Sequence, residues 1–409
     1  MRSEFTVKKY KHERITRINS RVGRDINRSI ILNTVRRSQP ISRTQISDLT
    51  GLNKSSVSSI VASLIEEDLL VEATDRSGSV GRNPVNLSVR QGKHYVGAIA
   101  FDAPRTLVAA IDIDGTVKAQ EEVRTDVTAP EALVAKCLSR LDGIRSRLGP
   151  HRFHGIGATV AGIVDASQSH VIHAANLGWN HVDLGAVIRE RAPDLEMINV
   201  ENDAKASALA ELLLGQHRLT STNLVFLSLG AGIGAGIAVN GRILSGSAHA
   251  AGEIGHMTVV DGGEPCPCGN TGCWELFASE RAPVRWYLAA KKSAVESHGS
   301  TTLADVIAAA RAGDTDAIAS LRQWGQHVGV GIGNVICMFD PEVVIVGGSI
   351  TQVWDLVQGS VQEEAHGHGD FSRQRTSKIL PTSLLSTPAL LGAAALCIRR
   401  IFADFSITL

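Results

Sequence analysis

The sequence predicts two folds joined in one chain: a winged helix-turn-helix head, mostly helical with a small β wing, and an α/β body of two related lobes. Three observations predict this. Charge is divided unevenly along the 409 residues. The hydrophobic spacing changes near Tyr95 from helical to strand-like. From there a strand-hairpin-strand-helix pattern is used twice. A chain this long exceeds one typical domain, and its 44% apolar content is ample for packed cores.

The formal net charge is zero, but residues 1–54 hold thirteen Lys/Arg against four Asp/Glu, and the rest of the chain has a matching acidic excess. A basic head on an acidic body points to a polyanionic partner for the head alone. There is no long uncharged apolar run to span a membrane, and the basic N-terminus lacks the apolar stretch of a secretory signal, so a cytoplasmic protein is expected. Six cysteines in so long a chain are not a disulfide framework, and Cys137, Cys337 and Cys397 read as isolated core thiols.

Residues 1–24 alternate charge without apolar periodicity and read as a basic arm. Residues 25–92 read as the DNA-binding domain. Ile26, Ile30, Ile31 and Val35 recur at helical spacing up to Ser38-Gln39-Pro40. Ser42 or Thr44 can cap a short second helix carrying Ile46 and Leu49 and closed by Gly51. Asn53 then caps a third, with Val57, Ile60, Val61, Leu64 and Ile65 on one face. Helix, glycine turn, helix is the helix-turn-helix layout. Opposite the apolar stripe stand Lys54, Ser55, Ser56, Ser58 and Ser59, short enough to approach groove edges and phosphates, with Arg43 and Thr44 at the start of the second helix. Leu69–Val71 and Val85–Val89 alternate as strands. The connection between them carries Arg76 and Arg82, a basic wing able to reach a minor groove.

In the body, Val96–Asp102 and Leu107–Asp112 are apolar strands, Asp114-Gly115 is a hairpin turn, and Pro130–Leu148 is an amphipathic helix. Ile156–Val160 and Ile198–Glu201 are further strands, the second running through Asn202-Asp203-Ala204 into an Ala/Leu-rich helix. The cycle restarts at Leu224–Leu229, with a strand at Ile233–Val239, a helix around Ala317–Phe339, and the strand Val343–Val346 before Gly347-Gly348. A join near Lys205 would make the cleft between the lobes a hinge.

Chemistry concentrates in Leu229–Glu275. Gly230, Gly232, Gly234 and Gly236 form a ladder that suits either phosphate approach or tight strand packing. Downstream, Cys266, Cys268 and Cys273, with His256 ten positions before the first, offer thiolates and an imidazole of the kind tetrahedral Zn²⁺ prefers. A disulfide is the alternative, disfavoured for three close thiols in a reducing compartment. Four protein ligands leave no open position, so such an ion would be structural.

These residues, with Glu201-Asn202-Asp203-Ala204, resemble the ROK family of repressors and sugar kinases, and the resemblance runs over nearly the whole chain. It implies an actin/hexokinase-like (ribonuclease H-like) body of two lobes, residues 93–203 with about 388–409 forming the smaller and 204–387 the larger. It also implies a homodimer or dimer of dimers and, given the head, a transcriptional regulator of carbohydrate metabolism, expected to be a repressor. In the kinases of this family the positions of Asn202, Asp203, Glu253, His256 and Glu275 bind sugar hydroxyls, and the resemblance assigns Asn176 and Gly162 to the same pocket. Asp203 takes the general-base position. The kinases carry Asp-x-Gly-Gly-Thr after the opening strand; here Asp102 is followed by Ala103-Pro104-Arg105. Proline has no N–H and neither residue takes positive φ easily, so ATP binding is not expected. Asp112-Ile113-Asp114-Gly115-Thr116 reads as a turn and not as a substitute loop. The resulting expectation is a regulator that binds operator DNA and senses a sugar or sugar phosphate; the alternative is an active sugar kinase carrying a DNA-binding head.

Overall fold

The computed structural model describes residues 20–74, 85–149, 151–216, 221–291, 301–367, 376–384 and 387–402. Most of the basic arm, and Arg76 and Arg82 of the wing, lie outside them. The described chain divides into two compact units, up to Val89 and from Arg90 onward.

In the first unit, α1 (Ser20–Ser38), α2 (Arg43–Thr50) and α3 (Lys54–Glu66) pack on a three-stranded sheet of β1 (Ile41–Ser42), β2 (Leu70–Thr74) and β3 (Val85–Val89), ordered β1-β3-β2 and antiparallel. α1 begins five residues before the expected Asp25, taking in the end of the predicted arm. Its buried face is also rotated from the expected one. Ile31, Leu32 and Val35 are buried, whereas Ile26 and Ile30 are exposed. Polar side chains share the buried face and are hydrogen-bonded: Asn33 donates to the Ser29 carbonyl, and Arg36 donates to Asn33 through Nη2. Leu49 is exposed as well, so Ile46 alone anchors α2.

The caps are local chemistry. Ser42 Oγ accepts from Gln45 N–H, the Gln45 side chain accepts from Ser42 N–H, and Gly51, at φ 70°, closes the helix in the left-handed region. Asn53 Oδ1 accepts from Ser56 N–H to start α3. Ser42→Ala, which removes the capping box, should cost about 1 kcal/mol. In a unit of this size that is a fall of about 5 °C in the head's melting midpoint; an unchanged midpoint would contradict it.

The second unit holds two five-stranded sheets. One has the order β11-β7-β4-β5-β6, built from β4 (His94–Phe101), β5 (Arg105–Asp112), β6 (Val117–Arg124), β7 (Arg152–Val160) and β11 (Met197–Asn202). α4 (Pro130–Leu148) and α5 (Leu184–Arg191) contribute to its core with Ile99, Val134, Leu141, Ile156 and Ile188. The β5–β6 turn bonds Asp112 N–H to the Thr116 carbonyl, with Gly115 at φ 93°, as a hairpin tip. A small sheet of β8 (Ile163–Asp165), β9 (His170–Ala174) and β10 (Trp179–Val182) follows β7.

The other large sheet has the order β14-β13-β12-β15-β16, built from β12 (Leu224–Leu229), β13 (Ile233–Val239), β14 (Arg242–Ile243), β15 (Val343–Gly348) and β16 (Lys378–Pro381). Its core joins Val225, Leu227 and Val346 to Trp324, Val328 and Ile332. The helices of this half are α7 (Glu275–Ala278), α8 (Arg281–Ala290), α9 (Leu303–Arg311), α10 (Thr315–Phe339) and α11 (Trp354–Gly367). Between the sheets lie α6 (Asp203–Leu214) and α12 (Pro388–Phe402), which pack on each other; α6 also meets β12 and β13, and α12 meets β4 and β7. A Cβ on Gly157 of β7 would sit 1.7 Å from the Ala393 carbonyl oxygen, so α12 can lie on this sheet only because that position is glycine. No helix of the described residues is long and apolar enough to cross a membrane.

Candidate functional site

The junction of β11 and α6 places the first group of candidate residues. Asn202 is the N-cap of α6: its Oδ1 accepts from Lys205 N–H while its Nδ2 donates to the Gly162 carbonyl in the turn between β7 and β8. Both ends of the amide are thus committed to holding the junction of β11 and α6 against the β7–β8 turn. Asp203 follows as the first residue of α6. Burial pushes its carboxyl up to about 7, and the carboxylates of Asp102 and Glu253 push the same way. Asp102, at the end of β4, is raised by burial, with Glu280 adding. Glu253 is raised by burial too, against the opposing charges of His256 and Lys205 and with the help of Glu275. The structure therefore gathers Asp203, Glu253, His256 and Glu275, and adds Asp102 and Glu280, which spacing alone did not single out. Asn176 is exposed on the single turn Ala175–Leu177 and forms no bond with this group.

Beneath them Glu201 is buried; its Oε1 accepts from Asn202 N–H and Oε2 has no partner, and burial lifts its carboxyl to about 7 against the nearby Lys205 ammonium. Lys205 is itself buried, which lowers its ammonium pKa, with Glu201 and Glu253 opposing.

A carboxyl whose folded pKa lies above its unfolded value holds its proton more tightly when folded. Asp203 therefore costs nothing well below pH 4 and destabilises progressively as pH rises from about 4 through about 7. Asp203→Asn should raise the melting midpoint at pH 8, through a stability gain of at most about 4 kcal/mol, and leave it unchanged at pH 3.5. Equal midpoints at both pH values would refute this.

The knuckle forms from the one-turn helix Ile254–His256 and the loop 265–273. His256, Cys266, Cys268 and Cys273 bring one ligand atom each within 4.8 Å of one another. His256 Nδ1 lies 3.9 Å from Cys266 Sγ, and Cys268 and Cys273 Sγ are 3.7 Å apart. A tetrahedral ion with bonds of about 2.3 Å to sulfur needs sulfur–sulfur edges of about 3.8 Å, so the donor set fits a metal ion in both chemistry and span. Asn270 braces the loop, donating to the His256 carbonyl, to Thr258 Oγ1 and to Cys273 Sγ.

The next two residues carry the knuckle into the cleft. Trp274 is fully buried, its Nε1 donating to the His327 carbonyl at 2.7 Å. Glu275 then accepts the Ile233 N–H through Oε2 at 2.8 Å, on the turn of the glycine ladder. Within that ladder Gly236 serves packing: a Cβ there would meet the Ala204 carbonyl at 2.2 Å, whereas Gly230 faces open space.

On the head, Lys54, Ser55, Ser58 and Ser59 form an exposed face of α3, and Ser56 is half-buried. Thr44 is exposed; Arg43 is partly covered and pairs with Glu72 at 2.5 Å.

Three comparisons bear on these geometries. A family signature described as ROK family matches residues 96–400. The chain is 30% identical to the xylose repressor of Bacillus spizizenii over 381 residues, 92% of this chain and 95% of that one. It is 33% identical to the glucokinase of Streptomyces coelicolor, over 65% of this chain and 86% of the enzyme. Among solved structures, a ROK family transcriptional regulator homologous to the E. coli MLC protein superposes with a TM-score of 0.78 at 26% identity, covering 93% of this chain and 96% of that one.

Proposed function

The chain belongs to the ROK family, and from that premise we propose that it is a DNA-binding, sugar-responsive transcriptional repressor of carbohydrate metabolism. The observation that carries this reading is coverage: the resemblance to the xylose repressor and to the solved regulator includes the head, whereas the glucokinase match covers the smaller share noted above. The exposed Lys/Ser face of α3 supplies a groove-reading surface. The polar cleft around Asp203, Glu253, His256 and Glu275 supplies acceptors for sugar hydroxyls. Sugar binding there would alter how two heads of a homo-oligomer engage a palindromic operator in the cytoplasm.

The body is kinase-like, but its chemistry is read here as retired. β4 turns into β5 through Asp102-Ala103-Pro104, which has no glycine; Pro104 has no N–H to offer a phosphate, and the Ala103 N–H is taken by Asp102 Oδ1. The four-ligand knuckle would hold Zn²⁺ through His256, Cys266, Cys268 and Cys273, where the ion would supply structure and leave no coordination position for substrate. His256 would then meet the ion through Nδ1, leaving Nε2 for a sugar hydroxyl.

The test is electrophoretic mobility of DNA upstream of the chain's own gene with purified protein, across a panel of pentoses, hexoses and their phosphates. One sugar should change operator affinity severalfold or more. A panel without effect would defeat the sensing reading, and ATP-dependent phosphorylation of glucose that Asp203→Asn abolishes would replace it with the kinase.

A further inference from the structure

The loop from Leu244 to Glu253 ends on a cleft carboxylate, and its fixing points lie on both sides of the cleft. Its ends are tied to β13, Leu244 N–H donating to the Ile237 carbonyl and the Gly252 carbonyl accepting from Ala235 N–H. From below, the buried Lys205 ammonium donates to two carbonyls of the loop, His249 at 2.6 Å and Ser245 at 3.4 Å. His249 has φ 59°, a left-handed backbone that glycine adopts without strain and other residues rarely take. The position nevertheless carries a side chain. That imidazole reaches out of the loop, and its Nε2 lies 3.8 Å from Oδ2 of Asp165 on β8, in the small sheet of the other half of the cleft. Asp165 is prepared for this contact: its Oδ1 is taken by the N–H and hydroxyl of Ser167, leaving Oδ2 to face His249.

We propose that Lys205, His249 and Asp165 form a latch across the cleft, which holds the Glu253 loop against the small sheet and so ties occupancy of the pocket to closure of the body. The proposal rests on the sugar-sensing reading for its functional consequence but not for the contact itself. Lys205 sets the loop from one side and the His249–Asp165 contact closes it from the other. None of the three needs to touch the effector; they are positioning residues, and they act through Glu253.

Two variants separate the latch from simple structural damage. His249→Gly relieves the left-handed backbone while removing the imidazole, and Asp165→Asn keeps the Oδ1 that caps Ser167. Deuterium exchange of residues 244–253 is measured beside equilibrium dialysis of D-xylose and D-glucose for the wild type, both single variants and the double variant. Each single variant should speed exchange of that loop about tenfold and weaken the sugar that binds by a similar factor, within the usual range of coupling between sites. The double variant should go no further, because both changes break one contact. Wild-type exchange in His249→Gly, or single effects that add in the double variant, would overturn the latch. If the wild type binds neither sugar, nor any other of a wider panel, the sensing reading fails, and the exchange result alone decides whether the latch exists.

Discussion

Cys273→Ala is expected to disable the cleft as well as the knuckle. The chain leads from Cys273 to Trp274, whose ring fills a space that Gly331 of α10 leaves open; a Cβ on Gly331 would lie 2.0 Å from that ring. The next residue, Glu275, holds the turn of the glycine ladder through Ile233 N–H. A metal ion at the knuckle would therefore fix, within three residues, a ligand, a core side chain and a cleft carboxylate. Structural zinc contributes about 10–16 kcal/mol in small peptides that fold only around it. Here the Val225–Trp324 core remains without the ion, so the expected loss is a fraction of that, several kcal/mol and about 10 °C in the body's melting midpoint. Elemental analysis should find one zinc per chain in the wild type and none in Cys273→Ala, with the sugar response lost in the variant. Metal-free protein that melts and responds like the wild type would rule out the structural ion.

The second large effect concerns α3. Ser58→Glu with Ser59→Glu places two carboxylates on the exposed face of α3 that is proposed to meet DNA phosphates and base edges. Operator affinity should fall about 100-fold or more, since each added charge opposes counterion release and close approach. The melting midpoint should stay within about 1 °C, because neither side chain is buried and substitutions at such positions are near neutral. Fluorescence anisotropy with labelled operator, run beside a melting curve, separates the outcomes. Unchanged affinity would move the DNA contact away from α3.

Much of this was legible in the sequence wherever the deciding physics is local. The caps at Ser42 and Asn53, the left-handed Gly51 and the hairpin at Asp114-Gly115 each depend on a few adjacent residues, and each lies where the pattern places it. The knuckle was legible for the same reason, since its three cysteines fall within eight residues. Periodicity failed where burial does not follow it. Ile26 and Ile30 fit the helical repeat of α1, yet the core takes Leu32 and the hydrogen-bonded pair Asn33 and Arg36 instead. α12 is buried on nearly every side from Leu390 to Ile398, so no stripe marks it as an amphipathic helix. The convergence of Asp102 on Asp203 joins residues about a hundred positions apart, and no spacing rule connects them.

The packing of α12 on β7 also fixes an order of events during synthesis. Thr159 Oγ1 donates to the Ala389 carbonyl, 230 residues later, and Gly157 is small for the sake of Ala393. The first sheet of the body therefore cannot bury one face until the ribosome has released the chain through Phe402. The head forms its own compact unit up to Val89, so it can fold while most of the body is still being translated. A stalled or prematurely terminated message would thus yield nascent chains with a finished DNA reader and no working sensor, a hazard that falls on protein quality control rather than on the effector.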